Sequence, residues 1–245
     1  MCASPSPSVS FVVPCYEEEA ALAVFAQHIA AIPAQEIVFV DDGSTDGTAE
    51  ALAAIAAEHP HVRVETHAQN RGVGAAMRTG ARASTGAVVV IYDADRTYPL
   101  EDASRLVAAL EDGDGRDVVT ATPFGADGGL EDVPFFRMLL SKGAAWSYRL
   151  VLGRRAQGIN VYTCAFRAWR GELVRGLDWR SDGFPAAAEM FGLAILEGAR
   201  VSQEPSTLRN RTEGESKMRV GKAMRGHVGV LWRLFLARLR GGAAV

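Results

Sequence analysis

Val88-Val89-Val90-Ile91-Tyr92-Asp93-Ala94-Asp95 decides how this chain is read. Val88 to Ile91 are all aliphatic and β-branched, which predicts a strand buried on both faces. Two carboxylates arrive where that strand should end. Asp93 and Asp95 flank a single Ala94, so in extended backbone they point to the same side. In open parallel α/β sheets, ligands bind at the carboxyl ends of strands. Two hard oxygen ligands there suit Mg²⁺ or Mn²⁺ carrying a diphosphate. The same residues also read as a strand end with an Asp-capped turn, and the stretch alone leaves both readings open.

Around it, apolar runs at residues 10–13, 36–40, 62–65 and 117–121 predict further strands. Helical patterns at 20–31, 48–58, 75–83 and 99–110 separate them. Buried runs alternating with helices predict βαβ units and a parallel sheet covered on both faces. After Thr122 the character changes. A Gly-rich loop at 123–129 precedes an amphipathic helix at 135–152 that contains Trp146 and Tyr148. A strand or loop at 162–169, a helix at 184–197, a last strand at 201–209 and a basic helix at 220–240 follow.

The net charge of −3 argues against a nucleic-acid partner. It hides an asymmetry: from Arg209 onward, nine Arg and Lys face only Glu213 and Glu215. The apolar and aromatic residues among them suit a helix in a membrane interface; a helix packed on the domain with solvated charges fits equally. Cys2, Cys15 and Cys164 are scattered without a CxxC pair, which points to a reducing, cytoplasmic setting. Residues 1–8 are small and Ser/Pro-rich, and are expected to be a disordered terminus. No uninterrupted apolar run reaches the ~18–20 residues that span a bilayer.

Several motifs now act together. Pro14-Cys15-Tyr16-Glu17-Glu18, Val40-Asp41-Asp42-Gly43-Ser44-Thr45-Asp46-Gly47-Thr48, Asn70-Arg71-Gly72-Val73-Gly74-Ala75-Ala76 and Tyr92-Asp93-Ala94-Asp95 come in that order. The combination resembles the family 2 glycosyltransferases of the GT-A fold, most of all the dolichyl- or polyprenyl-phosphate mannose or glucose synthases. Tyr162-Thr163-Cys164-Ala165-Phe166-Arg167, Ser181-Asp182-Gly183-Phe184 with Glu189-Met190, and Arg211-Thr212-Glu213-Gly214-Glu215-Ser216-Lys217 are similar to that group's later signatures. The likeness covers roughly residues 10–217.

The resemblance implies an α/β, Rossmann-like GT-A domain over residues 9–217, with a central, mostly parallel sheet flanked by helices. Its nucleotide-binding half would be 9–121 and its acceptor half 122–217, with a basic amphipathic helix at 218–245. The implied reaction is inverting transfer of mannose or glucose, from GDP-mannose or UDP-glucose, to a polyprenyl phosphate at the cytoplasmic membrane face. Peripheral membrane contact, or a membrane protein partner, goes with it.

The implied donor contacts are Pro14, Tyr16 and Glu18, with Asp41 facing the base and Asp42 beside it. Asp93 and Asp95 become the metal pair, spaced by Ala94. Two departures stand out. Arg96 replaces a residue that is commonly apolar, and Thr120-Ala121-Thr122 stands where the synthases carry Gly-Ser-Arg. Arg96, Arg167 and Arg211 are the candidates to supply the missing cation. Glu189, or Asp182, is the candidate base or sugar-orienting carboxylate if the acceptor is a hydroxyl. A phosphate acceptor needs no base, and Arg211, Ser216 and Lys217 would then hold the phosphates. A nucleotide-sugar-binding protein without turnover is the remaining alternative.

Overall fold

The computed structural model describes residues 7–125, 127–210 and 220–241. Nine strands are present among them: β1 (Val9–Cys15), β2 (Glu36–Asp41), β3 (Val62–Thr66), β4 (Val88–Ile91), β5 (Val118–Thr122), β6 (Gly129–Glu131), β7 (Arg167–Arg170), β8 (Val201–Pro205) and β9 (Thr207–Arg209). Seven form one sheet in the order β3-β2-β1-β4-β7-β5-β8; β6 and β9 make a separate parallel pair. The helices are α1 (Glu19–Phe25), α2 (Thr48–Glu58), α3 (Val73–Ala83), α4 (Asp102–Glu111), α5 (Phe135–Leu152), α6 (Gly171–Gly176), α7 (Ala186–Leu196) and α8 (Val220–Gly241).

The Val88–Ile91 strand sits at the centre of the sheet, and its side chains divide as strand geometry requires. Val88 and Val90 join a core cluster with Phe11, Phe25, Phe39 and Tyr92. Val89 and Ile91 join the cluster on the other face, with Met77, Trp169 and Phe191. Both clusters exclude water, so every residue of β4 is apolar and none alternates with a polar one. Each such side chain contributes about 1.5–3 kcal/mol by burial.

The sheet is mixed. β1, β2, β3 and β4 pair in parallel, but β7 enters antiparallel between β4 and β5. It aligns Arg167 with Ile91 on one side and Thr120 on the other. The expected strand at 201–209 is two strands, broken at the buried Ser206, whose hydroxyl donates to Asp102 at 2.5 Å. The expected helix at 20–31 tightens to a 3₁₀ turn over Ala26–Ala31. Pro33 follows and disfavours α-helical backbone at Ile32, which is extended.

Candidate active site

β1, β2 and β4 lie side by side, so their carboxyl ends bring three loops together. Cys15 pairs with Asp41 and Val12 with Ile91, so Asp41 and the residues after Ile91 leave the sheet beside the end of β1. Cys15 registers the convergence. Burial pushes its thiol pKa up, and the charges of Glu18, Asp41 and Asp93 push it further. Burial also raises the pKa of Tyr92; Arg96 opposes this, while Asp95 and Asp93 add to it. These carboxylates thus act on two buried groups, Asp93 on both, and carboxylate oxygens are the donors a divalent cation prefers.

Asp93 and Asp95 are half-buried carboxylates, a donor set that fits Mg²⁺ or Mn²⁺. Among the described residues no group of three or more His, Cys, Asp or Glu is arranged to enclose a metal. A pair of carboxylates sharing the ion with phosphate oxygens suits that situation. The Thr97 N–H donates to Asp95 Oδ1 at 3.1 Å and orients it. Ala94, between the acids, is buried. Arg96 has a φ of 54°, and its buried Nε has no hydrogen-bond partner among the described residues. A buried guanidinium donor without a partner stands out, because such groups are nearly always hydrogen-bonded.

The loop carrying Tyr16, Glu17 and Glu18 is stitched to the turn after β2. The Glu17 N–H donates to Ser44 Oγ at 3.0 Å, the Glu18 N–H to Thr48 Oγ1 at 2.9 Å, and the Thr45 hydroxyl to Glu17 Oε1 at 3.1 Å. Asp41 is buried at the end of β2 and accepts the Ser44 N–H at 3.0 Å.

Asp42 turns inward, and its expected role as a substrate contact is corrected. It accepts His67 Nδ1 at 2.6 Å and the N–H groups of Arg71 and Gly72 at 2.9 and 2.7 Å. His67 bonds Thr79 Oγ1 at 2.8 Å through its other nitrogen. A buried carboxylate needs donors, and these hold the 70–72 turn in place. That turn cradles protein rather than phosphate. The N–H groups of Gly74 and Ala75 donate to the Asp182 carbonyl at 2.6 and 3.3 Å. Gly72 has a φ of 100°, and a Cβ on Gly72 or Gly74 would strike the carbonyl of Asp182 or Ser181. Only glycine allows this approach.

Arg167 is likewise corrected. It is 1% exposed and its guanidinium is spent inside the protein. Nε donates to Thr120 Oγ1 at 3.1 Å, Nη1 to the Ala187 carbonyl at 2.8 Å, and Nη2 to the Tyr162 carbonyl at 2.7 Å. It lies 4.2 Å from the Phe191 ring, and burial lowers its pKa to about 10. It braces β7 against α7 and is closed to a phosphate.

Glu189 is 2% exposed and is corrected from a substrate contact to an internal anchor. It accepts the Ser181 N–H at 2.7 Å and Arg233 Nε and Nη2 at 2.7 and 3.0 Å. Burial alone would raise its pKa; the hydrogen bonds from Arg233 and Ser181 outweigh burial and hold it below the usual range. Asp182 takes both Arg78 Nη groups at 3.0 Å on one oxygen. Nothing local marks Arg233, which stands within a basic run. The signal for it was Glu189 itself, a lone acid in the apolar stretch Ala186–Leu196, whose burial demands a cation. Arg211, Ser216 and Lys217 lie outside the described residues.

The family model described as Glycosyl transferase family 2 matches residues 10–177. The chain belongs to that family. This glycosyltransferase is 31% identical over 231 residues to a dolichol-phosphate mannosyltransferase of Pyrococcus furiosus, covering 92% of this chain and 63% of the relative. It therefore spans less than two thirds of that relative's length. It is 31% identical over 222 residues to a polyprenol monophosphomannose synthase of Mycolicibacterium smegmatis, covering 87% of this chain and 82% of the relative. By sequence it falls in the polyprenyl-phosphate mannose synthase group of the family. The fold matches glucosyl-3-phosphoglycerate synthase from Mycobacterium tuberculosis, solved with Mn²⁺, UDP-glucose and phosphoglyceric acid. The TM-score is 0.71 at 18% identity, over 94% of this chain and 80% of that one. The domain is thus of the GT-A fold, as the motifs implied.

Proposed function

We propose that this glycosyltransferase moves mannose or glucose from a nucleotide diphosphate sugar to a polyprenyl phosphate of dolichyl type, at the cytoplasmic face of a membrane and with inversion. The observation that carries this reading is the meeting of the 14–18 loop, Asp41 and Asp93-Ala94-Asp95 at adjoining strand ends. The named activities of the two 31% identical relatives support the acceptor class. GDP-mannose is the favoured donor and UDP-glucose the alternative.

In this reading Pro14, Tyr16, Glu18 and Asp41 receive the base and ribose, whose N–H and hydroxyl groups suit carboxylate acceptors. Asp93 and Asp95 would hold Mg²⁺ or Mn²⁺, which when bound neutralises charge on the departing diphosphate. Arg96, next to the pair in the chain, is assigned to the same phosphates. The acceptor phosphate is already an anionic nucleophile. Its oxygen bonds to the anomeric carbon as the bond to the diphosphate breaks on the opposite side, and no proton has to be removed. Arg211, Ser216 and Lys217 are assigned to the acceptor phosphate on their motif. The protein's part is positioning and charge stabilisation.

A hydroxyl acceptor would need a base. Glu189 is held ionised by Arg233, and Asp182 is paired with Arg78, so both observations support the phosphate acceptor. The test is transfer from radiolabelled GDP-mannose or UDP-glucose to a short-chain polyprenyl phosphate, with the product extracted into organic solvent. Wild type and Asp182→Asn are expected to transfer alike. Label passing to a sugar alcohol but not to the lipid phosphate would reverse the assignment, and no transfer to either would leave a binding protein.

A further inference from the structure

β8 is the last strand of the sheet, and among the described residues only β5 pairs with it. The register fixes which of its backbone groups are used. Val118 stands opposite Val201, and its N–H donates to the Arg200 carbonyl at 3.2 Å; at the far end the Ser206 N–H donates to the Thr122 carbonyl at 2.9 Å. In a parallel ladder a residue bonds the two neighbours of its partner, so the even-numbered residues of β8 face β5. The N–H and C=O of Val201 and Gln203 therefore point to the open edge. An edge of this kind offers unpaired backbone groups unless something covers it.

The turn that follows α5 covers part of it. Gln203 holds that turn with both ends of its amide: Nε2 donates to the Gly158 carbonyl at 2.9 Å, and Oε1 accepts the Asn160 N–H at 2.7 Å. Beside them lies an open pocket of about 430 Å³, the size of a small-molecule site rather than of an added strand. Arg155 and Arg200 line it and are exposed. Each spends one Nη on a carbonyl, Arg155 on Leu196 at 2.8 Å and Arg200 on Asp114 at 3.2 Å. Among the described residues neither pairs with a carboxylate; Asp117 accepts the backbone N–H of Arg200 at 2.8 Å. A guanidinium carries five N–H donors, so both keep donors to offer. Ser202 also lines the pocket, and its buried hydroxyl has no partner among the described residues. Rotation about one bond is enough to give it a new one. No exposed large apolar residue lines the pocket, so nothing there suits an acyl chain.

β8 runs parallel to β5, and β5 and β4 both run antiparallel to β7. Val201 therefore lies at the amino end of the sheet, whereas Asp93 follows the carboxyl end of β4. The pocket is separate from the catalytic carboxylates. We infer that it binds a small soluble phosphate monoester, with the phosphate on Arg155, Arg200 and the outward N–H of Val201, and the ligand's hydroxyls on Ser202. A monoester brings nearly two negative charges and three acceptor oxygens, which matches two guanidinium groups and an edge N–H. Bound there, it ties the turn after α5 to the sheet edge, and through the Leu196 carbonyl to the end of α7.

The test is a titration of the purified, isotope-labelled chain with glycerol 3-phosphate, followed in its backbone amide spectrum, with no nucleotide sugar or lipid present. The amides of Gly158, Val201 and Gln203 are expected to shift and saturate, and glycerol, the uncharged counterpart, should move none of them. Arg155→Gln with Arg200→Gln should weaken binding about ten- to a hundredfold, the scale for losing charge-assisted hydrogen bonds, with the circular dichroism spectrum unchanged. The phosphate ester should raise the Tm of wild type and leave that of the double variant where it is. No saturable shift, shifts confined to residues 93–97, glycerol binding as well as its phosphate, or undiminished binding by a folded double variant would overturn the inference. The wild-type spectra decide the matter even where the variant does not fold. Because no transfer is measured, failure here leaves the glycosyl-transfer reading intact, and failure of that reading leaves this pocket's binding intact.

Discussion

Asp93 and Asp95 follow the end of one strand, with Asp41 and Glu18 acting on the same buried thiol as Asp93, and two such carboxylates suit a divalent cation. Replacing either by Asn should lower kcat about 10²–10³-fold, the scale seen when one transition-state charge stabiliser is removed. The melting temperature of the ligand-free variant should change by no more than a few degrees, so that the loss is read as one of transfer and not of folding. Steady-state transfer and calorimetry check both. Arg167 makes the contrasting case. Arg167→Met leaves the Thr120 hydroxyl and two buried carbonyls without their donor, and should cost about 3 kcal/mol in urea unfolding. The KM for the donor should stay at the wild-type value. A raised KM with unchanged stability would return Arg167 to the phosphates.

α8 is joined to the domain by more than apolar packing. Leu234 fills the space left by Gly192, and Arg233 closes on Glu189 and Ser181. Ser181 leads into Asp182, whose carbonyl receives the first N–H groups of α3. The C-terminal helix thus supports the turn that Asp42 holds from the other side. Glu189 makes this support pH-dependent. Its pKa in the folded protein lies below its ordinary 4.5, so its contribution is complete above about pH 4.5 and fades as pH falls through the lower folded value. Glu189→Gln should therefore flatten the acid limb of stability against pH, as read from urea midpoints. Arg233→Met should be more destabilising than Glu189→Gln at neutral pH, because it strands a buried charge rather than removing one.

For the whole molecule, a ligand that binds only the folded chain raises its stability by mass action. At about a hundredfold excess over Kd the gain is about 2.7 kcal/mol, or roughly 5–10 °C in Tm for a chain of this size. GDP or UDP with Mn²⁺ is expected to produce that shift, and the nucleotide that does so identifies the base. Asp95→Asn should abolish the metal-dependent part alone. The absence of any shift, with every nucleotide and metal tried, would remove the nucleotide site from this reading.

The α/β class and the strand ends were legible in the residues because both are local. A run such as Val88-Val89-Val90-Ile91 can satisfy its apolar character only between two covered faces, and the loops after β1, β2 and β4 carry their carboxylates in plain order. What the sequence could not show was which polar groups face each other. Asp41 and Asp42 are neighbours, yet one lies at the strand end beside Cys15 while the other turns back to His67 and the 70–72 turn. Arg167 reads as a candidate phosphate cation and Arg233 as one charge of a basic tail, and the antiparallel entry of β7 and the docking of α8 put both to work inside. The apolar residues of α8 looked like one face and are two, since Val230 and Leu234 dock while Val228 and Trp232 remain outside. By itself the sequence determined the class of fold, the family and the carboxylate pair. Only the tertiary structure decided which charges were neutralised in the interior, because burial and pairing depend on residues far apart in the chain.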